Sequence, residues 1–274
     1  MEATELFVKH FVNTNYEDIP AEAVDAAKKE ILDSLATAVG GSTKPGVGEL
    51  VDMAKEWGGK GQSTIIANGI KCPAPTAALV NGAMIHALDY DDGHPVAIVH
   101  IGCVAVSTCL AMAERMGKTN GKELITALAL GGDFESRLGL ATTGAGWHPT
   151  TLFGYIGAAA MAGKLMRLDE DKLMSALGFA YQQCGGAGSG VGDGALAKRM
   201  GPGLAAKGGI TAALMAERGI PSGSGCLEGY EGRGGLLNTY IKGNYDVKIL
   251  TSDLGNRYEG VNIGDKPYPC CGFN

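Results

Sequence analysis

Apolar residues recur at helical spacing along most of the chain. In residues 4–13, Phe7 and Phe11 fall on one apolar face, and residues 21–39 carry a longer stripe with the same period. Comparable stripes predict further helices over residues 48–57, 75–90, 101–117, 121–131, 152–166, 169–183 and 204–218. The periodicity therefore predicts a mainly helical protein up to about residue 220.

Some stretches depart from this pattern. Residues 62–67 and 245–250 are short apolar runs that favour strands or extended links. Residues 185–203 are rich in glycine, which favours a loop. We expect one large, bundle-like all-α domain over residues 1–265. Residues 266–274 contain two prolines, which disfavour a helix, and are expected to begin a connection into a further part of a larger protein.

Composition and charge narrow the functional classes. Hydrophobic residues make up 45% and charged residues 19% of the 274 residues, enough apolar material for a sizeable core. Acidic residues outnumber basic ones by 29 to 23, for a formal net charge of -6, which argues against a general binder of nucleic acid or of anionic membranes. No apolar run is long enough to span a bilayer, and the acidic N-terminus does not resemble a signal peptide. A cytoplasmic location is therefore expected.

Cysteine and glycine usage add two expectations. Seven cysteines are an odd number without a CxxC pair, so reduced thiols are expected rather than disulfides or a structural zinc site. Glycine, at 44 residues, is about twice as frequent as usual. This excess favours closely packed helices or backbone that approaches a ligand.

The first cluster of candidate chemistry lies at the end of a predicted helix and in the loop after it. It comprises His86, Asp89, Asp91, Asp92, His94 and His100. A histidine beside a carboxylate is suited to proton transfer near pH 7. Carboxylates at a helix C-terminus oppose the helix dipole, so the run calls for a functional reason. Two alternatives stay open: a solvated acidic helix end, and a divalent-metal site, which no HxH or HExxH pattern supports.

Two further segments carry candidate binding groups. His148 precedes Thr150 and Thr151 at the predicted start of a helix, where backbone N–H groups can bind an anion. Lys198 and Arg199 follow the glycine run, and a flexible loop could deliver both to an anionic group. The run does not match a dinucleotide fingerprint, because a helix rather than a strand precedes it. For His148 the alternative is a loop residue beside an N-cap threonine, and for Lys198 and Arg199 it is an ordinary loop with solvated charges.

The last candidate is Lys266, in the segment KPYPCC. Pro267 and Pro269 would stiffen this segment and hold the lysine in place, although a rigid surface turn is an equal alternative. Cys270 and Cys271 have no identifiable base beside them and are interpreted as buried, inert thiols.

Several phrases of the sequence together resemble the MmgE/PrpD family in order and spacing. They are DIPAEAVDAAKKEILDSLATAVGG, NGAMIHALDYDDGHP, GWHPTTLFGYIGAAAMAGKLM, AAKGGITAALMAERGI and KPYPCC. The resemblance covers essentially the whole chain, and ALDYDD and WHPTT are specific to the family. It implies a large helical domain with a smaller α/β lid domain, usually in a homodimer, so the lid would be absent here or only begun at the C-terminus.

The resemblance also implies a site. Asp89 matches the first aspartate of the family's ALD(F/Y)DD phrase, His100 the histidine that follows after a short loop, and His148 the histidine of GxHPT. Lys198 and Lys266 match two family lysines. We expect His100 to act as an acid/base, His148 as a second acid/base or carboxylate binder, and Asp89 as the group that orients them. The lysines are expected to bind substrate carboxylates.

Two further assignments and two departures complete the predicted site. Arg199 and Thr150 are assigned to substrate binding with the lysines. Gly93 and Gly201 stand where family members often carry threonine and histidine, so the substrate cannot be copied from the best-known members. No cofactor and no metal is expected.

The function implied is a lyase or isomerase that moves a proton at the carbon next to a carboxylate of a small di- or tricarboxylate. A 2-methylcitrate dehydratase-like activity is the first expectation, and an iminodisuccinate epimerase-like activity is the alternative. A catalytically inactive helical domain that serves as an interaction module is the competing hypothesis. A metal-binding protein built on residues 89–100 is the third.

Overall fold

Helices make up most of the computed structural model, which describes residues 2–142, 146–230 and 233–270. Within these ranges the helices are α1 (Ala3–Asn13), α2 (Ala21–Gly41), α3 (Val47–Trp57), α4 (Ala74–Ile85), α5 (Gly102–Met116), α6 (Gly121–Leu140), α7 (Pro149–Leu165), α8 (Glu170–Gln183), α9 (Ser189–Gly192), α10 (Ala197–Glu217) and α11 (Val247–Thr251). The expected all-α class is confirmed. None of the helices in these ranges is both long and apolar enough to cross a bilayer.

The strands form two small antiparallel pairs. They are β1 (Ser63–Thr64) with β2 (Lys71–Cys72), and β3 (Gly229–Tyr230) with β4 (Arg233–Gly234). In the first pair Ser63 lies opposite Cys72, and in the second Gly229 lies opposite Gly234. The strand predicted at residues 62–67 is thus present, but only two residues long.

The core is centred on α4, α7 and α10. Helix α10 packs against α4, α7 and α8, and α4 also packs against α5. Eleven of the twelve residues of α4 are buried, so this helix is enclosed on all sides. A Cβ at Gly203 of α10 would overlap the carbonyl oxygen of Leu79 in α4, so only glycine allows this close approach. The glycine excess therefore reflects close helix packing, as the composition predicted.

The structure corrects the bounds of three predicted helices. Helix α10 begins at Ala197 rather than at residue 204, and Pro202 lies buried inside it. The loop predicted over residues 185–203 is therefore interrupted by the short helix α9 and is wrong from residue 197 onward. Packing of α10 against α4 outweighs the low helix propensity of glycine and proline. Helix α4 ends at Ile85 and gives way to a 3₁₀ turn, whereas α6 continues to Leu140 instead of ending at residue 131.

The strand predicted at residues 245–250 is also wrong. Val247–Thr251 forms α11, and the Asp246 side chain caps it by accepting a hydrogen bond from the Lys248 N–H at 2.9 Å. Only an isolated bridge between Thr142 and Tyr245 has strand character in this segment of the described chain. A capping aspartate and local hydrogen bonds therefore prevail over the apolar run.

Arg137 anchors the segment around α11 to the helical core. Its fully buried guanidinium contacts Asp133, one turn earlier on α6, at 2.8 Å. It also donates to the carbonyl oxygens of Ile249, Leu250, Ser252 and Arg257 at 2.6–3.3 Å. A buried charge is tolerated only when it is paired and hydrogen-bonded, and this arginine meets both conditions. The domain boundary predicted after residue 265 stays a prediction, and residues 271–274 lie outside the described ranges.

Candidate active site

Three separated segments meet around a cleft of about 630 Å³. They are the connection between α4 and α5, the start of α7, and the region from the loop before α9 to the first turn of α10. The cleft is lined by Gly93, His94, Pro95, Ile98, Val99, His100, Gly146, Trp147, His148, Pro149, Gly188, Val191 and Lys198. His100, His148 and Lys198, which the sequence singled out, therefore share one cleft.

His100 presents one ring nitrogen to this cleft as a hydrogen-bond acceptor. Its Nδ1 lies 2.7 Å from the carbonyl oxygen of Asp92. Because a carbonyl can only accept, Nδ1 carries the proton and Nε2 keeps its lone pair. Burial lowers the pKa of His100 to about 4; the nearby Asp91 carboxylate opposes this, while His86 and Lys266 reinforce it. At neutral pH His100 is therefore uncharged and able to accept a proton.

His148 is held at the start of α7, as the sequence predicted. Its backbone N–H donates to the Gly186 carbonyl oxygen at 2.8 Å, and its Nδ1 lies 2.8 Å from the Thr151 hydroxyl. Burial lowers the pKa of His148 to about 3, with the charges of His86, His100 and Lys198 acting in the same direction. The site therefore contains a second uncharged imidazole.

Asp89 links the cleft to two lysines from distant parts of the sequence. It adopts a left-handed conformation with φ of 54°, directly after the 3₁₀ turn His86–Leu88. Its carboxylate accepts a hydrogen bond from Lys198 and lies 3.3 Å from the Lys266 Nζ. Burial would raise the pKa of Asp89, but Lys198, His86 and Lys266 outweigh it and hold that pKa below its ordinary value. Asp89 is therefore ionised, with its carboxylate 4.0 Å from Nε2 of His100.

Lys266 is placed behind the cleft rather than in it. Its side chain is fully buried. Its ammonium group donates to the carbonyl oxygens of Asp89 at 3.0 Å and Cys270 at 2.8 Å, besides the Asp89 carboxylate. These contacts occupy all three N–H donors, so the geometry gives Lys266 the task of holding Asp89 rather than of reaching a substrate.

The other two predicted binding residues also lie away from the cleft. Thr150 is fully buried, and its hydroxyl accepts a hydrogen bond from the His100 backbone N–H at 3.0 Å. Arg199 donates to the Pro45 carbonyl oxygen at 3.2 Å and is not among the residues that line the cleft. The structure thus brings Asp89, His100, His148 and Lys198 together, with Thr150 as a support of His100 and Arg199 turned away.

Sequence reasoning assigned no individual role to four side chains beneath the cleft. Asp92 caps α5, since its two carboxylate oxygens accept hydrogen bonds from the N–H groups of Ile101 at 2.8 Å and Gly102 at 3.0 Å. Burial raises the pKa of both Asp92 and the neighbouring Glu30, so this carboxyl pair retains a proton near neutral pH. His86 and Asp91 form a further buried pair, considered below. A capping side chain ten residues before the first residue of its helix has no local sequence signature, which explains why Asp92 was missed.

The possibility of a metal was tested on the same cluster. Among the described residues, His86, Asp89, Asp91 and His100 each place one ligand atom within 4.8 Å of the others. Carboxylate oxygens and imidazoles are suitable ligands for several divalent cations. However, Lys198 and Lys266 both contact the carboxylate of Asp89, and two ammonium groups there would repel a cation. We therefore assign no metal ligands in this cluster.

Comparison with known sequences matches this arrangement to a family. The sequence model of the MmgE/PrpD N-terminal domain matches residues 5–247. The chain belongs to the MmgE/PrpD family. It is 32% identical to cis-aconitate decarboxylase of Aspergillus terreus over 275 residues, which cover 95% of this chain and 56% of that protein. It is 31% identical to cis-aconitate decarboxylase of Homo sapiens over 238 residues, which cover 84% of this chain and 48% of that protein.

A further relative of this MmgE/PrpD chain comes from Aspergillus oryzae. The chain is 30% identical to the cis-aconitate decarboxylase-like protein oryM over 271 residues, covering 93% of this chain and 56% of that protein. The chain thus spans about half the length of the curated relatives it matches. All residues that line the cleft fall within the matched N-terminal domain. Lys266, which lies behind the cleft, falls outside the matched residues.

Proposed function

We propose that the protein is a lyase that acts on a small tricarboxylate, with decarboxylation as the first reaction to test. The observation that carries this proposal is the presence of two uncharged imidazoles, His100 and His148, in one cleft with a lysine. The names of the relatives support a tricarboxylate as substrate. Proton transfer by positioned histidines contributes roughly 10²–10⁴-fold to rate in enzymes of this kind.

The proposed chemistry assigns a step to each side chain. Lys198 and the N-terminus of α7 attract the carboxylates of the substrate into the cleft. In a decarboxylation, the bond to the departing carboxylate breaks, carbon dioxide leaves, and the electron pair remains on the carbon skeleton until a proton is added. His100 or His148, once protonated from solvent, donates that proton from Nε2. Asp89 lies 4.0 Å from Nε2 of His100 and stabilises the imidazolium form while it exists.

The same two imidazoles also fit the two other reactions implied by the resemblance. In a dehydration, one imidazole removes the proton next to a carboxylate and the other protonates the departing hydroxyl group. In an epimerisation, one removes the proton and the other returns it on the opposite face. The observation that keeps both as alternatives is the presence of two neutral histidines rather than one.

The test is a substrate comparison with matched histidine variants. The natural full-length protein is incubated with cis-aconitate, 2-methylcitrate or iminodisuccinate in D₂O, and ¹H NMR reports carbon dioxide loss, water loss or deuterium incorporation. H100N is expected to lower kcat/KM by at least about 10²-fold. H10N is the control, because His10 carries the same substitution on α1, outside the cleft-lining residues.

Two results would contradict the proposal. A fall of less than about tenfold in H100N would remove His100 from the reaction. An absence of turnover or exchange with all three substrates, in a folded protein, would favour the interaction-module hypothesis. We further propose a homodimer, as the resemblance implies, which light scattering of the eluting protein would check.

A further inference from the structure

A buried histidine–aspartate pair stands directly behind the two imidazoles of the cleft. Nδ1 of His86 lies 2.8 Å and 3.0 Å from the two carboxylate oxygens of Asp91. Both side chains have no exposed surface. Neither residue lines the cleft, so neither is placed to contact a substrate there.

The His86 ring packs against both site histidines. Its centroid lies 4.9 Å from that of His100 and 6.0 Å from that of His148. Nε2 of His86 finds no hydrogen-bond partner among the described residues, so the ring is fixed by Asp91 and by packing alone. A change in the position or charge of the His86 ring therefore affects the rings of His100 and His148 directly.

We propose that the hydrogen-bonded His86–Asp91 pair is a positioning unit: it supports the rings of His100 and His148 from the buried side and sets the electrostatic environment of His100. This inference rests on the proposed function, since it names a further residue of the same site. His86 is a positioning residue and not a catalytic one.

The Asp91 carboxylate is ionised although it is buried. A buried carboxylate without a hydrogen-bond partner is costly. Burial would raise the pKa of Asp91, but His86 outweighs it and holds that pKa well below its ordinary value. The Asp91 carboxylate therefore depends on the His86 ring for its charge.

The charges around the two histidines determine how readily each of them is protonated. Around His100, His86 and Lys266 oppose protonation, and Asp91 favours it. Around His148, the charges of His86, His100 and Lys198 oppose protonation, and only Asp89 favours it. His86 influences both rings and contacts the carboxylate of Asp91. Its removal would leave the Asp91 carboxylate without this partner beside His100.

The experiment measures histidine protonation directly, without a substrate. Long-range ¹H–¹⁵N correlation spectra of the metal-free full-length protein are recorded between pH 4 and 9, with assignments from single variants. In H86Q the titration midpoint of His100 should rise by about one pH unit or more, because the buried Asp91 carboxylate loses its hydrogen-bond partner beside His100.

The controls separate this effect from damage to the fold. D91N removes the anion and should not raise the midpoint of His100. H86Q/D91N removes both side chains of the pair and should bring the midpoint back from the H86Q value toward the wild-type value. The acid limb of kcat/KM should move in parallel with these midpoints. A purely structural role for His86 would lower kcat without moving either quantity.

Two outcomes would overturn the inference. One is a midpoint of His100 that is higher in D91N than in the wild type, which can be observed even if H86Q does not fold. The other is a midpoint of His100 that is the same in H86Q and the wild type. Since neither observation needs turnover, a failure of the proposed function would be seen separately in the activity assay.

Discussion

Gly201 offers a sharp test of how His148 is oriented. This residue lies buried in the second turn of α10, against the side chain of Thr151. A Cβ added at Gly201 would lie roughly 1 Å inside the ordinary van der Waals separation from the Thr151 hydroxyl oxygen. That hydroxyl lies 2.8 Å from Nδ1 of His148. G201A must therefore push away the group that holds the imidazole.

The expected consequence is a loss of activity without a loss of fold. A displacement of about 1 Å at a positioned group can lower the rate by about 10²-fold. We expect kcat/KM of G201A to fall by about that factor on the substrate that gives turnover. Stability should change by less than about 1 kcal/mol, because alanine is favoured over glycine inside a helix and this offsets part of the clash.

Two control variants make the reasoning refutable. T151V removes the hydroxyl while keeping the shape of the side chain, and it should lower kcat/KM to a similar extent. G192A should have no effect, because a Cβ at Gly192 would meet nothing within 4 Å. If T151V stays within twofold of the wild type while G201A is strongly impaired, the hydrogen bond from Thr151 does not orient His148 and the argument is wrong.

Three further predictions concern stability and thiol chemistry. R137L should destabilise the protein by about 3–5 kcal/mol in urea unfolding, because it leaves the Asp133 carboxylate buried without its counter-ion. D133N/R137L should recover part of this loss. A loss below about 1 kcal/mol in R137L would contradict the anchoring role. Burial raises the pKa of Glu135 well above its ordinary value, so the folded state holds the proton more tightly than the unfolded chain. The stability that this provides is present at low pH and is lost as pH rises. The wild type should therefore lose stability relative to E135Q between pH 5 and 9, and parallel stability curves for the two proteins would refute this. Five buried thiols should react with iodoacetamide only after unfolding, as mass spectrometry of labelled peptides can check, and labelling of any of them in the folded protein would contradict their burial. They are Cys72, Cys103, Cys109, Cys184 and Cys226.

The helices that the sequence predicted well are those whose stripe of apolar residues faces one neighbour. Helix α1 is an example: Phe7 and Phe11 are buried, and the helix runs over Ala3–Asn13 against an expectation of residues 4–13. The start of α10 could not be predicted in this way. Gly201, Pro202 and Gly203 argue locally for a loop, and only the close approach of α10 to α4 and α7 makes these small residues favourable in a helix.

The same limit explains the site assignments. Lys198 and Arg199 are neighbours in sequence and were expected to serve one anionic group from a flexible loop. Because both lie in a helix, their side chains diverge by about 100°, and only Lys198 can face Asp89. The helix thus determines that Lys198 and not Arg199 belongs to the site, whereas the glycine pattern had predicted a loop here.

The three aspartates within residues 89–92 are neighbours in sequence, yet each carboxylate is stabilised in a different way. Two lysines from distant segments neutralise Asp89, and the His86 imidazole forms a hydrogen bond with Asp91. Helix N–H groups and a shared proton stabilise Asp92. Because their partners differ, the three carboxylates differ in charge state or orientation, and the aspartates are not interchangeable. Of these three aspartates, only Asp89 is partly exposed, and its carboxylate lies 4.0 Å from Nε2 of His100. This is why Asp89 alone is assigned to the proposed reaction, whereas Asp91 and Asp92 hold neighbouring histidines in place.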